Sequence, residues 1–177
     1  MESKMIINRI WAMPNKNTFR IKPIKELLQK YVTTPDNWFD PFSGNNSPAT
    51  VTNDLNPLCD AVFHLDALDF VNVLDDNLFD GVLHDPPYSL RQLKECYNNI
   101  DRTMTFDESK DASFSKVKNA CTSKIKSNGF AISCGWSTNG FGKTRGFEIV
   151  EILLVPHGGH HNDTIVVVEK KRGFDGS

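Results

Sequence analysis

The chain has 177 residues, of which 39% are hydrophobic and 24% charged, so it can bury one sizeable core but not two domains of ordinary size. Its net charge of −2 provides no bulk positive field for nucleic acid, so any such contact has to come from local patches. No apolar run approaches the roughly 20 residues of a membrane span. The four cysteines are far apart and include no CxxC pair, which indicates free thiols and predicts a cytoplasmic protein.

The first periodic element is a helix over residues 23–32. Its apolar residues recur at helical spacing, Pro23 suits the first turn, and Pro35 follows the expected end. A second helix is predicted over residues 113–126, with Asn128 and Gly129 as its stop. Residues 1–18 precede the first helix as an N-terminal arm, residues 19–170 form the core, and residues 171–177 are expected to be a flexible tail.

Short apolar runs bounded by turn residues predict seven strands. They cover residues 38–42, 49–52, 62–65, 79–83, 130–134, 147–155 and 164–169. Helical patches between several of them indicate βαβ units around a mostly parallel sheet. The last two strands are joined by only a short connection over residues 156–161, which predicts a C-terminal antiparallel hairpin. The fold class is therefore a single α/β domain.

Acidic residues end four successive predicted strands: Asp40, Asp54, Asp66 and Asp85. Open α/β sheets bind ligands at the carboxyl ends of their strands, so these side chains are candidates for one site. Gly44, four residues after Asp40, allows the backbone to approach a ligand closely. The alternative is that each Asp only caps a turn or a helix, a position this residue favours.

Two of these acids belong to motifs that identify a family. The sequence Asp-Pro-Phe-Ser-Gly at 40–44 and the sequence Asp-Pro-Pro-Tyr at 85–88 resemble the cofactor and catalytic loops of the S-adenosylmethionine-dependent DNA amino-methyltransferases, which modify adenine N6 or cytosine N4. Residues 19–28 are similar to the helical motif against the methionine end of the cofactor in that family. The resemblance runs from about residue 19 to about residue 169 and implies a Rossmann-like class I methyltransferase fold with a seven-stranded sheet.

The resemblance also implies roles for individual residues. The cofactor S-adenosyl-L-methionine is expected to contact a set of seven residues: Lys22, Pro23, Asp40, Phe42, Gly44, Asp54 and Asp66. Within that set, Asp54 is expected at the ribose, Asp66 at the adenine amino group, and Asp40, Phe42 and Gly44 at the methionine end.

The Asp-Pro-Pro-Tyr loop suits transfer to an exocyclic amino group, whose lone pair is delocalised into the ring. Asp85 and the carbonyl of Pro86 can each accept one N–H, and the rings of Pro86 and Pro87 restrict the backbone that holds this acceptor. Tyr88 is expected to stack on a base flipped out of duplex DNA. By resemblance to the family, Asp at the head of the tetrapeptide favours adenine over cytosine. The leading prediction is adenine N6 methylation in DNA, in a bacterium, a phage or a mobile element.

Two departures from the family pattern keep alternatives open. Asn45 and Asn46 follow Gly44 where a small residue and a second glycine are usual, and no gap between motifs is long enough for a DNA-recognition insert. Specificity is then expected from residues 89–110, from residues 8–19 with Trp11, or from a homodimer or partner chain, unless the sequence preference is relaxed. The alternatives are cytosine N4, RNA or a protein amide as acceptor, or a cofactor-binding subunit without catalysis in a restriction or anti-restriction system.

Three features late in the chain are weaker candidates for function. The sequence Gly-Phe-Gly-Lys-Thr at 140–144 suggests a phosphate loop but has Ser137 where that motif needs glycine, so a loop that brings Lys143 and Arg145 to the substrate is favoured. Trp136 is expected to line the base pocket. Three histidines over residues 157–161 suggest zinc, but no Cys or acidic partner supports them, and no metal is predicted.

Overall fold

A seven-stranded sheet runs through the computed structural model, which describes residues 4–103 and 114–173. The strands are β1 Ile6–Arg9, β2 Trp38–Asp40, β3 Val51–Thr52, β4 Phe79–His84, β5 Ile125–Gly135, β6 Phe147–Val155 and β7 Thr164–Lys171. The helices are α1 Lys22–Tyr31, α2 Ala67–Asn72, α3 Leu90–Asn98 and α4 Ser115–Lys124. Within the described ranges, no helix is long and apolar enough to cross a membrane.

The strand order is β1-β6-β7-β5-β4-β2-β3. β7 is antiparallel to both β5 and β6, and the other four pairings are parallel. The prediction of a mostly parallel sheet with a C-terminal hairpin is therefore confirmed. The carboxyl ends of β2, β3 and β4 consequently lie at one edge of the sheet.

The seven strands are not the seven that the apolar pattern predicts. Residues 62–65 contribute only a single parallel bridge, between Phe63 and Asn53, and Val62 is exposed. The seventh strand is β1, inside the segment expected to be an arm, where it pairs with β6 at the sheet edge. All four of its residues are exposed, so its sequence carries no alternation of buried and exposed positions.

The first of the two predicted helices is confirmed, whereas the predicted end of the second is wrong. α1 begins at Lys22 with Pro23 in its first turn and buries Ile24, Leu27 and Leu28, as the periodicity predicts. The sequence predicts a stop for the second helix, α4, at Asn128 and Gly129. The helix ends at Lys124, because β5 already begins at Ile125.

Asn128 has a φ of 66° inside an irregular part of β5, where the pairing with β4 jumps from Phe79–Ile125 to Gly81–Phe130. This left-handed residue absorbs extra chain within the strand instead of ending a helix. The start of the predicted helix at 113 and the tail over 174–177 lie outside the described residues.

The sheet separates two apolar clusters, because successive strand residues point to opposite faces. Trp38, Leu83 and Ile132 pack with α1 on one face. Their neighbours Phe39, Val82 and Ala131 pack with α2 and α4 on the other. The register that joins β2 to β4 thus fixes both halves of the core.

Gly81 gives a direct test of that register. A Cβ on this residue of β4 would lie 2.5 Å from two ring carbons of Trp38 and 2.8 Å from the carbonyl oxygen of Phe130. We expect Gly81→Ala to lower the free energy of unfolding by about 1–3 kcal/mol, measured by urea denaturation.

Gly135→Ala is the matched control. It is also a strand glycine, and the nearest heavy atom to its added Cβ would be 4.0 Å away. An equal loss in both variants would contradict the packing of Trp38 against Gly81.

Candidate active site

The carboxyl ends of β2, β3 and β4 open into a cavity of about 990 Å³. Three of the four predicted acids line it, namely Asp54, Asp66 and Asp85. The other predicted residues in its wall are Phe42, Gly44, Pro86, Pro87, Tyr88 and Trp136. The structure therefore brings the two sequence motifs together around one space, although 41 residues separate Gly44 from Asp85.

Asp40 lies behind this wall and is fully buried. Its Oδ1 accepts the backbone N–H of Phe42 at 2.9 Å, whereas Oδ2 has no hydrogen-bond partner among the described residues. Burial raises the pKa of Asp40 to about 7, against the opposing effect of hydrogen bonds from Ser47 and the Phe42 N–H, and the charges of Asp85 and Asp54 add to the rise. A buried carboxyl without a cation beside it is the expected partner for a cationic group.

The loop after β2 is held by side chains from β3 and the chain beyond it. Gly44 has a φ of 51°, and its N–H donates to Asp54 Oδ2 at 2.9 Å. Asp54 Oδ1 accepts the N–H of Asn56, also at 2.9 Å. Asn45, which replaces a small residue of the family pattern, accepts the N–H of Asp60 through its own side chain at 2.7 Å. Asn45, which departs from the family pattern, thus stabilises the loop through its side chain.

Asn53 is a structural part of the site that the sequence did not indicate. It is fully buried, donates to the carbonyls of Pro41 and Leu65, and accepts the N–H of Leu65. One amide therefore joins the chain after β2 to the chain before α2. The available signal was a polar residue between two apolar strands, directly before Asp54.

Asp66 is both a helix cap and a residue of the cavity wall. Its side chain caps α2 by accepting the N–H of Leu68 at 2.9 Å, and it also lines the cavity. The helix cap fixes the orientation of the carboxylate.

A buried histidine, His84, directly precedes the Asp-Pro-Pro-Tyr loop. The His84 ring makes edge contacts with Phe42 and Phe141, at centroid distances of 5.4 and 5.7 Å. Burial lowers the pKa of His84 to about 3, so the ring is neutral at physiological pH. Its Nε2 has no hydrogen-bond partner within the described ranges. The ring therefore acts as part of the apolar packing beneath Asp85.

Asp85 is held by an aromatic neighbour from its own loop. The Tyr88 hydroxyl donates to Asp85 Oδ1 and lies 3.4 Å from Thr18 Oγ1. The Tyr88 ring meets Trp136 edge-on, with centroids 5.7 Å apart. Burial raises the pKa of Asp85, whereas the hydrogen bonds from Tyr88 and Thr18 act in the opposite direction. The carboxyl of Asp85 is thus removed from water but accepts hydrogen bonds from side-chain hydroxyls.

Besides Asp40, four predicted site residues do not line the cavity. Lys22 is exposed beside Glu26, and Pro23 is buried in the core. From that region, Thr18 and Phe19 line the cavity instead.

Lys143 lies within the Gly-Phe-Gly-Lys-Thr loop and Arg145 directly after it, and neither residue lines the cavity. The Arg145 guanidinium bonds to Asn119, Ser115 and the carbonyl of Phe141, and so ties this loop to α4.

The backbone of the Gly-Phe-Gly-Lys-Thr loop already binds a carboxylate of this same chain. The buried carboxylate of Glu169 accepts the N–H groups of Phe141 and Gly142 at 2.5 and 2.8 Å. A Cβ on Gly140 would lie 2.0 Å from Glu169 Oε2. The carboxylate thus occupies the backbone donors that a nucleotide phosphate would need.

The three histidines take different positions. His157 is buried and bridges Ala12 to Thr164, with both ring nitrogens 2.8 Å from an oxygen. His160 and His161 line the outer part of the cavity. No cluster of His, Cys, Asp or Glu in the described part of the chain has the arrangement of a metal site.

Comparisons with known proteins identify the fold. No family model and no curated protein matches the chain. Among solved structures, the 1,6-didemethyltoxoflavin-N1-methyltransferase of Burkholderia thailandensis, bound to 1,6-didemethyltoxoflavin and S-adenosylhomocysteine, matches with a TM-score of 0.57 and 12% identity, over 89% of this chain and 80% of that chain. The fold is that of the class I methyltransferases.

Two further solved structures share this fold. TrmN from Thermus thermophilus matches with a TM-score of 0.53 and 16% identity, over 85% of this chain and 49% of that chain. SMU.776, complexed with SAH, matches with a TM-score of 0.53 and 12% identity, over 84% of this chain and 48% of that chain. The present chain therefore spans about half the length of TrmN and of SMU.776.

The buried carboxyl of Asp40 predicts a pH-dependent stability. Its pKa is about 7 in the folded chain against an ordinary 3.8, so between these pH values the folded state binds more protons than the unfolded state. The contribution of Asp40 to stability therefore falls as pH rises through this window. We expect the unfolding free energy of Asp40→Asn, relative to wild type, to rise by up to about 1.4 kcal/mol per pH unit.

The measurement is urea unfolding of the protein without ligand, at pH values from 4.5 to 8. Asp163→Asn, at an exposed position of the hairpin, controls for the loss of one negative charge. A difference between Asp40→Asn and wild type that stays constant with pH would contradict the raised pKa of Asp40.

Proposed function

We propose that the chain is an S-adenosylmethionine-dependent methyltransferase that methylates the exocyclic amino group of a nucleic-acid base, with adenine N6 in DNA as the leading acceptor. The observation that carries the proposal is the meeting of Asp85, Pro86 and Tyr88 with Gly44 and Asp54 around one cavity. The class I methyltransferase fold, and the S-adenosylhomocysteine bound by one protein that shares it, support the choice of cofactor.

The residues present fit S-adenosylmethionine, which would supply a methyl group activated by a sulfonium. Open space surrounds Gly44, with no heavy atom within 4 Å of where a Cβ would lie. Each oxygen of Asp54 accepts one backbone N–H, and the Cys59 thiol is a further donor to this carboxylate, so at least one of its about four acceptor positions stays for a ribose hydroxyl. Asp40, directly beneath the loop, offers an unpartnered carboxyl oxygen near the positively charged methionine end.

Asp85 and Pro86 would act on the acceptor nitrogen. Two acceptors that each bind one N–H localise the lone pair on the nitrogen and direct it away from the ring. Asp85 need not be a strong base, because the nitrogen becomes acidic once it carries the methyl group. Its carboxyl then receives or relays the proton, and the loop's prolines keep the acceptors in place before the base arrives.

We further propose that the acceptor base enters as a single flipped nucleotide. The aromatic pair Tyr88 and Trp136 lies at the cavity wall beside Asp85, and Trp136 is 43% exposed. Exposed aromatic rings of this kind stack on unpaired bases. A homodimer or a specificity partner would supply the DNA contacts that the short loops lack.

A small heterocycle is the second candidate acceptor. A cavity of about 990 Å³ is large enough for the cofactor and a compact ring system. The toxoflavin-type methyltransferase, 80% of which is covered by this chain, acts on a nitrogen of a fused heterocycle according to its name. An acceptor of that size would need no DNA-recognition insert.

The first test is transfer of a radiolabelled methyl group from S-adenosylmethionine. Duplex DNA, single-stranded DNA, RNA and free nucleosides are offered in parallel, and labelled products are digested and separated. We expect label in N6-methyladenine from DNA, and a loss of at least about a hundredfold in Asp85→Ala, because that variant lacks an acceptor aimed at the developing charge.

Asp85→Ala should still bind the cofactor, which separates a catalytic defect from misfolding. Label only in free nucleosides would favour the small heterocycle. Full transfer by Asp85→Ala would remove this residue from the mechanism.

Asp54 tests the cofactor half of the proposal. We expect Asp54→Ala to weaken binding of S-adenosylhomocysteine by about 1.5–3 kcal/mol, because charge-assisted hydrogen bonds to the ribose are lost. Isothermal titration calorimetry measures this change. Asp60→Ala, an exposed acid in the same connection, should leave the affinity unchanged. Equal affinities in both variants would place the ribose elsewhere.

A further inference from the structure

The Tyr88 hydroxyl lies between two side-chain oxygens that come from distant parts of the chain. It donates to Asp85 Oδ1, and Thr18 Oγ1 is 3.4 Å from it, in a pair where either oxygen can be the donor. Asp85 follows β4, whereas Thr18 begins a short 3-10 turn before α1. All three residues line the same cavity.

Thr18 is held in this position by its backbone and by its neighbour. The carbonyl of Thr18 accepts the N–H of Ile21, and the Phe19 side chain is buried in the core. Upstream, the N–H of Ala12 bonds to the carbonyl of Pro156 beyond β6, and the carbonyl of Ala12 contacts the buried His157. The Thr18 oxygen is thus fixed relative to the sheet from both sides.

The bond from Tyr88 to Asp85 has a consequence for the proposed reaction. Asp85 Oδ1 is the acceptor that an amino N–H of the substrate would need, and in this structure the Tyr88 hydroxyl donates to it. A hydroxyl hydrogen turns about its C–O bond without moving the ring. Thr18 Oγ1 is a second acceptor within reach of that turn.

We propose that Thr18 is a positioning residue, which receives the Tyr88 hydroxyl hydrogen when the substrate's amino group takes its place on Asp85. The proposal rests on the proposed function. Without substrate, the Thr18 hydroxyl donates to Tyr88, and Tyr88 donates to Asp85. With substrate, Tyr88 donates to Thr18, Thr18 turns its own hydrogen toward the cavity, and Asp85 accepts the substrate N–H. No covalent bond changes, and each oxygen keeps its hydrogen.

The same hydroxyls oppose the effect of burial on Asp85. Burial raises the pKa of Asp85, and the hydrogen bonds from Tyr88 and Thr18 act in the opposite direction. Among the described residues, Asp40 at the end of β2 and Cys134 in β5 also interact with the charge of Asp85, and neither carries a positive charge. Hydrogen bonds in series strengthen one another, so losing Thr18 weakens the bond from Tyr88.

The first experiment needs no turnover. Carbon-13 NMR follows the titration of the Asp85 carboxyl, assigned with Asp85→Asn, in wild type, Thr18→Val, Tyr88→Phe and the double variant. We expect the pKa of Asp85 to rise in both single variants, because each loses a hydroxyl of the chain. The pKa rise in the double variant should be smaller than the sum of the two single rises, because part of the effect of Thr18 passes through the Tyr88 hydroxyl.

Two outcomes would overturn the proposal. One is an unchanged pKa of Asp85 in Tyr88→Phe. The other is an equal effect of Thr18→Val with and without the Tyr88 hydroxyl, which would make Thr18 a merely structural residue.

The second experiment measures kinetics with the acceptor found in the methyl-transfer assay. In Thr18→Val the Tyr88 hydroxyl has lost its second acceptor, so the substrate N–H has to compete with it for Asp85. This competition is the same in the ground state and in the transition state. We expect KM for the acceptor to rise about five- to tenfold with little change in kcat or in cofactor affinity. Thr18→Ser should restore KM, because it keeps the hydroxyl.

A fall in kcat with unchanged KM, or no rescue by Thr18→Ser, would contradict the exchange of hydrogen-bond partners. Wild-type protein that transfers no methyl group to any acceptor would contradict the proposed function. The NMR titration would still decide whether Thr18, Tyr88 and Asp85 form one hydrogen-bonded chain.

Discussion

The parallel pairing of β2 with β4 is the constraint on which the rest of the site depends. Trp38 is in register with Gly81 and Phe39 with Val82, and the indole of Trp38 lies where a Cβ of residue 81 would be. This packing sets how far each strand extends toward the common edge. Asp40, at the end of β2, therefore lies close enough to Asp85 for the charge of Asp85 to raise the pKa of Asp40.

The acids at this edge serve the backbone and face a ligand space at the same time. Asp54 fixes Gly44 and Asn56, and Asp66 caps α2, yet both carboxylates also line the cavity. Because backbone N–H groups already orient each carboxylate, little side-chain freedom would remain to be lost when a ligand binds. A carboxylate that caps a turn or a helix is thus also preorganised for a ligand. The two interpretations of these residues do not exclude each other.

The side of the cavity formed by the Asp-Pro-Pro-Tyr loop combines a buried carboxyl with hydroxyl donors. Asp85 sits above the neutral ring of His84 and beside Tyr88, so its charge is costly unless donors are close. Thr18, from the start of the chain, adds a second hydroxyl close to Asp85. The N-terminal segment therefore belongs to the site because β1 pairs with β6 and holds the connection to α1 against the sheet.

Local patterns were sufficient for the α/β class, for α1, for the hairpin of β6 and β7, and for the meeting of the two motifs at one edge. Each of these follows from short-range periodicity, or from the rule that parallel strands present their carboxyl ends together. The roles of Lys22, Pro23, Lys143 and Arg145 stay predictions, and the fold places them outside the cavity.

Only the tertiary structure decided which oxygen lies beside Asp85, which anion fills the Gly-Phe-Gly-Lys-Thr loop, and that residues 6–9 form the seventh strand. These depend on contacts between residues far apart in the chain, such as Thr18 with Tyr88 and Gly142 with Glu169. Contacts of that kind leave no periodic trace in the sequence, because each is made by a single pair whose members are brought together by the sheet.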